Sequence, residues 1–194
     1  VRLAGAAPGP APREVTRDRS SCGGAAPDES VVAAGGKLAN VVVTVKGAPT
    51  RPAARALVLD QRRCRFVPHV LAAAVGSTLD IVNSDPVLHN VHGYRGRATA
   101  FNVALPAQGQ RVARKLDGPG AVRVRCDVHG WMSAWVVVAD GPSAVSGADG
   151  TFAIPEVPPG AWTVTAWHEK LGERSAQVTV PASGQASVDF SFGG

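Results

Sequence analysis

The sequence predicts an all-β chain, and three observations carry that reading. Apolar residues, 45% of the 194, come as short runs rich in Val rather than as long stretches. The 22 Gly and 15 Pro fall between those runs, where they punctuate turns. No segment keeps a helical apolar stripe through three turns, and the Ala-rich stretch 71–75 runs straight into Gly76. A chain of this length has room for one large β-domain or two small ones.

In chain order, residues 1–36 show no periodic pattern and are predicted to be a flexible N-terminal segment, anchored near Cys22. The Ala/Pro/Gly-rich opening, residues 1–12, reads as the start of a mature exported chain after signal removal. A strand follows over 40–46, with Val41, Val43 and Val45 on one face and Val42 and Thr44 on the other. Residues 47–52 break it, 56–60 form another short strand, and a basic loop then holds Cys64. Residues 66–82 read as two extended segments divided at Val75-Gly76-Ser77, with Leu79 and Ile81 alternating with Asp80 and Val82 in the second. Residues 87–94, 101–105 and 110–116 are further strands. After the Asp117-Gly118-Pro119-Gly120 turn, Val122, Val124 and Cys126 alternate with Arg123 and Arg125, which aims Cys126 inward at a strand end. Residues 135–139 are the strand that leaves the following loop.

The composition shifts at Asp140-Gly141-Pro142, and strands are predicted around 152–154, 162–167, 176–180 and 186–192. That is half a sandwich rather than a whole one. Residues 37–54 are therefore expected to complete a C-terminal sandwich of residues 140–194, with 55–139 inserted as a domain of its own.

The formal net charge is +5. Basic residues are scattered, apart from Arg111, Arg114 and Lys115 and the cluster Arg62, Arg63 and Arg65, and none are interleaved with aromatic residues, so nucleic acid is not the expected partner. A mildly basic surface suits an acidic redox partner. No apolar stretch has the length of a transmembrane helix. No Ser/His/Asp order or Gly-rich phosphate loop supports a hydrolase or a nucleotide enzyme. Of the three cysteines, the economical division pairs Cys22 with Cys64 as a disulfide and leaves Cys126 as a special thiolate in an oxidising compartment. Three buried free thiols in a cytosolic protein is the other division.

The chemistry is concentrated in Cys126-Asp-Val-His129-Gly-Trp-Met132. A thiolate, an imidazole and a thioether on one compact turn between strands can wrap a single ion. With a second imidazole from Leu88-His89-Asn90-Val91-His92, the set becomes two His, one Cys and a weak Met, the copper environment of electron-transfer sites. Cu(I) favours soft sulfur and Cu(II) favours nitrogen, so a rigid site fixed between the two changes little on electron transfer.

Residues 55–139 resemble a cupredoxin, most like the amicyanin branch, on the His89-Asn90-Val91-His92 element and the short Cys126-x-x-His129-x-x-Met132 loop. The resemblance implies a Greek-key β-sandwich holding one copper ion on His89, Cys126, His129 and Met132. It implies that Asn90 ties the two ligand loops together and that its backbone N–H bonds the Cys126 sulfur. Gly130 stands where that pattern has proline. Residues 148–154, 157–160 and 162–168 resemble a carboxypeptidase-regulatory-like, transthyretin-type sandwich. The expected fold is therefore all-β, a cupredoxin-type sandwich plus a second small β-sandwich.

His89 and His92 are three apart and face opposite ways on a strand, and the His-Asn match selects His89 as ligand. His92 is read as a structural or surface residue, His69 as a surface residue and His168 as exposed, with a second metal at Cys64 and His69 as the alternative. Trp131 is expected to pack over Met132, or to take part in docking. The expected function is an exported or periplasmic, non-enzymatic electron carrier. Its partner would be a cytochrome, a dehydrogenase or an oxidase, and electrons would pass through the edge of His129, the ligand expected nearest the surface. A copper-delivery protein and a structural subunit of an envelope complex are the rivals.

Overall fold

In the computed structural model residues 1–5, 11–50 and 52–193 are described, and the one helix among them is the four-residue turn Arg19–Cys22. Everything else regular is strand. Residues 6–10, part of the predicted flexible lead, and Arg51, within the 37–54 segment, lie outside the described residues. Two units emerge, both discontinuous in sequence. One comprises Val1–Gly9, Glu29–Ala53 and Ala139–Gly194; the other comprises Pro10–Asp28 and Ala54–Val138.

In the first unit, strand Val42–Lys46 lies between Ser143–Val145 and Gly160–His168, and Gly172–Val180 flanks the latter. Val41, Val43, Val45, Val164 and Ala166 pack in its core with Leu38, Phe190 and Phe192. Two predicted strands are corrected. Residues 152–154 are not a strand: Asp149 Oδ1 accepts the Thr151 N–H at 3.0 Å, the Gly150 N–H closes a turn on Gly147 O, and Pro155 ends the stretch. The strand expected over 186–192 shrinks to Ser191–Phe192, the two residues that find a ladder partner in Arg2–Leu3.

Residues 1–36 do not behave as one loose lead. Arg2–Leu3 pairs with Ser191–Phe192 and with Lys37–Leu38, whereas residues 11–28 belong to the other unit. Backbone donors and acceptors that find ladder partners hold even short, weakly apolar segments in place.

The second unit carries the chemistry. Its strands are β1 (Ala56–Gln61), β2 (Phe66–Val67), β3 (Val70–Ala74), β4 (Thr78–Asn83), β5 (His89–Arg95), β6 (Ala98–Leu105), β7 (Arg111–Lys115), β8 (Gly120–Arg125) and β9 (Ser133–Ala139). One sheet runs β7-β4-β1-β2 and the other β6-β5-β8-β9-β3. β1 and β4 are parallel, and their neighbours are antiparallel. Period-2 alternation points Leu79, Ile81, Val122 and Val124 into a core shared with Leu59, Phe66, Val91, Leu105 and Val136. The β5/β8 pairing is antiparallel, with His92 opposite Arg125, so the start of β5 and the end of β8 meet at one end of the sheet. That register brings His89 to the 126–132 loop joining β8 to β9.

Residues 11–28 form a strap on this unit. Arg13–Glu14 pairs with Ala25–Ala26, and Arg13 reaches both carboxylate oxygens of Asp28 at 3.2 and 3.1 Å. Val15 and Ala26 are buried in the same core, and a Cys22–Cys64 disulfide pins the strap.

Candidate metal centre

The site is built from one strand start, one loop and two carboxylates. Asn83, buried at the end of β4, donates through Nδ2 to Val87 O and Leu105 O, both at 2.9 Å, and its Oδ1 accepts the Asp85 N–H at 3.0 Å. The Asn83-Ser84-Asp85-Pro86 turn is therefore rigid. It aims the Asp85 carboxylate at two targets. One is the pair of backbone N–H groups of Arg63 (2.6 Å) and Cys64 (2.7 Å), both at positive φ, a concave pair of donors suited to an anion. The other is His89 Nε2 at 2.9 Å.

On the 126–132 loop, the His129 backbone N–H points at Cys126 Sγ (3.4 Å), and the Met132 N–H donates to His129 O (2.9 Å). This closes the turn around the sulfur. His89, Cys126 and His129 offer ligand atoms that all lie within 4.8 Å of one another, and all three residues are buried. Met132 is buried in the same cluster. His89 Nδ1 and His129 Nδ1 are 2.9 Å apart, and His129 Nδ1 is 3.7 Å from Cys126 Sγ.

The far side of each ring decides what that convergence means. His89 Nε2 faces Asp85 Oδ2, and His129 Nε2 faces Asp18 Oδ2 at 2.9 Å. A carboxylate only accepts, so each Nε2 carries its proton and each Nδ1 presents a lone pair to the other and to the sulfur. Two imidazole lone pairs and a sulfur converging in a buried space suit a cation between them. Burial also lowers the His89 pKa; the hydrogen bond it donates to Asp85 opposes this, and the neighbouring His129 adds to it. The neutral imidazole that a metal needs is thus the favoured form. The donor set, soft sulfur with two nitrogens, fits copper, and the carboxylates hold each imidazole in the ligating orientation.

Asn90 ties the loops together. Its Oδ1 accepts the Asp127 N–H at 2.6 Å, and its Nδ2 donates to Asp127 Oδ2 (2.8 Å) and Asn102 Oδ1 (3.0 Å). The N–H that reaches Cys126 Sγ comes from His129. Asn90→Ala is expected to cost about 1–3 kcal/mol by orphaning the Asp127 N–H, read as a lower urea midpoint at unchanged slope in the metal-free protein.

Several sequence expectations change. His129 does not present its edge to solvent: it is 0% exposed, because Asp18 of the strap caps its Nε2. Trp131, 8% exposed, packs 5.0 Å from His129 and donates Nε1–H to Cys64 O at 3.0 Å, so it braces the disulfide loop rather than offering a docking face. His69 and His168 are buried, not on the surface; His168 Nδ1 accepts the Lys170 N–H, and the His69 ring meets Ser133 O. Cys64 is committed to the disulfide with Cys22, which leaves Cys126 as the free thiol. His92 is held by Asp127, Thr99 and Tyr94 on the outer face.

Asp85 and Asp18 were missed as contributors. Asp85 had a signal, a carboxylate four residues before a candidate ligand. Asp18 had only its place four residues ahead of a cysteine that pairs with Cys64.

No family model matches the chain. The plastocyanin of Ulva arasakii is 30% identical over 78 residues, covering 36% of this chain and 80% of that protein. Among solved structures, amicyanin from Paracoccus versutus is similar at 21% identity and a TM-score of 0.40, covering 50% of this chain and 96% of that one. The copper-containing nitrite reductase of Thermus scotoductus is similar at 21% identity and a TM-score of 0.38; the match covers 46% of this chain and spans 23% of that enzyme's length. On the plastocyanin match, and with the β-sandwich and its His/Cys/His cluster in view, the chain belongs to the plastocyanin family of cupredoxins.

Proposed function

We propose that this chain is a type 1 (blue) copper protein that carries single electrons outside the cytoplasm, in a periplasmic or secreted setting. The observation that carries the reading is the convergence of His89 Nδ1, His129 Nδ1 and Cys126 Sγ, with both Nε2 atoms tied to carboxylates. Copper held there supplies a Cu(I)/Cu(II) couple. His89 and His129 would bind it through pre-oriented nitrogens, Cys126 would contribute the anionic sulfur, and Met132 would contribute a weak thioether from inside the core. Asn90 and Asp85 fix the two loops, so the ligands need not move between oxidation states, which favours electron exchange. Trp131 and the strap exclude water.

Because the chain fills the metal's surroundings with its own side chains, the reading is a carrier rather than an enzyme. A cytochrome, dehydrogenase or oxidase is the expected class of partner. The disulfide supports an oxidising compartment. The interleaved unit is proposed as a carboxypeptidase-regulatory-like sandwich acting as a spacer.

The test is the visible spectrum after one equivalent of Cu(II). An intense thiolate-to-copper charge-transfer band is expected, with copper retained against a mild chelator. A colourless protein at full copper loading defeats the reading. Ready transfer of Cu(I) to an acceptor chelator points to delivery instead.

A further inference from the structure

With the His129 edge closed, a second opening beside the sulfur becomes the route outward. On the outer face of the β5/β8 pair, Tyr94, Gly96, Arg123, Arg125, Asp127 and Gly130 line a cleft of about 460 Å³ that reaches Cys126. Tyr94 stands opposite Arg123 in the ladder, and His92 opposite Arg125. Tyr94 stacks on His92 at 4.0 Å, and His92 Nδ1 bonds Asp127, the residue peptide-linked to Cys126. The floor of the cleft is thus one residue from the sulfur, through covalent and hydrogen-bonded contacts.

The charge of this face is positive. Asp127, the one acid lining the cleft, is engaged by Asn90 and His92. Arg123 is exposed, and Arg125 reaches Gly130 O of the ligand loop at 3.4 Å. Arg95, at the end of β5, and Arg97, on the β5–β6 turn, are exposed. The unit as a whole carries 14 Lys and Arg against 8 Asp and Glu, a formal +6, whereas the other unit is −1. The basic excess of the chain therefore belongs entirely to the unit with the metal cluster.

We infer that the arginine-lined cleft over Cys126, and not the His129 edge, is the docking face for the redox partner, and that the partner presents a cluster of Asp and Glu carboxylates. This rests on the copper-carrier reading for its function, but the binding itself does not need copper. Arginine suits the role because its planar fork takes carboxylates in pairs. A patch of one sign steers association and makes it fall with salt. With copper bound, Cys126 would be the path by which one electron passes from the reduced ion to the partner's oxidised centre, with no bond made or broken.

The test uses hexacyanochromate(III), a redox-inert paramagnetic trianion, titrated into the 15N-labelled full chain, both metal-free and loaded with Cu(I). Amide broadening is expected at Tyr94, Gly96, Arg123, Arg125 and Gly130. Arg123→Glu is expected to weaken association roughly ten-fold, whereas Lys115→Glu, an equal charge change on β7 of the other sheet, leaves it unaltered. A short polyglutamate peptide should displace the probe. In a parallel arm, one-electron oxidation of the Cu(I) protein by hexacyanoferrate(III) should slow with added salt and in Arg123→Glu. Broadening centred on residues 14–19 and 129, or equal behaviour of the two charge variants, overturns the proposal. So does displacement by a DNA oligonucleotide where polyglutamate fails. A colourless copper-loaded protein with the broadening map intact sinks the carrier reading alone, and a blue protein without the map sinks this inference alone.

Discussion

Cys126→Ser is expected to stay colourless at any Cu(II) loading, with copper affinity lowered at least about 100-fold, since even outer contacts of metal sites are worth 10–100-fold. The side chain is 1% exposed at the end of β8, and serine is close to isosteric, so the substitution changes chemistry rather than shape. A hydroxyl does not ionise near neutral pH and is a hard donor. It supplies neither the anion that balances two neutral imidazoles nor the sulfur-to-metal charge transfer behind the blue band. The loop should survive, because the Met132 N–H to His129 O bond and the Asn90 clamp do not involve the sulfur. The metal-free variant should therefore unfold within about 1 kcal/mol of wild type, the worth of a typical single hydrogen bond. An undiminished band in this variant is not thiolate charge transfer and removes the site, since Cys22 and Cys64 are already paired.

The second large effect is on the strap. Replacing both Cys22 and Cys64 by alanine releases a cross-link spanning 42 positions, and the chain-entropy relation puts the cost at about 4 kcal/mol. For a domain of this kind that is a large share of the total stability. The effect reaches the metal centre because Asp18, which caps His129 Nε2, lies in the same short helical turn as Cys22: Asp18 O accepts the Cys22 N–H at 2.9 Å. Freed of its pin, the strap retains the Arg13–Asp28 pair and the burial of Val15, which hold its base but not its tip. The metal-free double variant is expected to show a lower urea midpoint and a His129 ring newly reactive to diethylpyrocarbonate. A loss below 1 kcal/mol with His129 still protected assigns the closure to the strap's packing instead of the disulfide. A thiol count of one in the denatured, metal-free wild type verifies the pairing beforehand.

How much of this was legible depends on whether the information is local. The 126–132 loop was, because Cys126 and His129 stand three apart on one short turn, and the structure brings both beside His89. Strands β4 and β8 were also legible, because burial on one face writes period-2 alternation into the sequence. Val42–Lys46 is buried along most of its length, so its run of valines shows a strand but not a facing. The covering of His129 was not legible. Asp18 and His129 are 111 positions apart, and an aspartate in a Gly- and Arg-rich lead carries no spacing pattern. Nor was the exposure of His69 or His168: an imidazole buried with satisfied nitrogens looks, in sequence, like one on the surface.

The division of the chain has a consequence in genetic terms. Neither unit is specified by one uninterrupted run of codons: the backbone passes between them after residues 9, 28, 53 and 138. A stop or frameshift anywhere before residue 139 deprives the first unit of Gly160–His168, the partner strand of Val42–Lys46, and one before residue 126 also removes the thiolate. Shuffling by simple end-to-end gene fusion therefore cannot lift the metal-binding unit out with its strap attached.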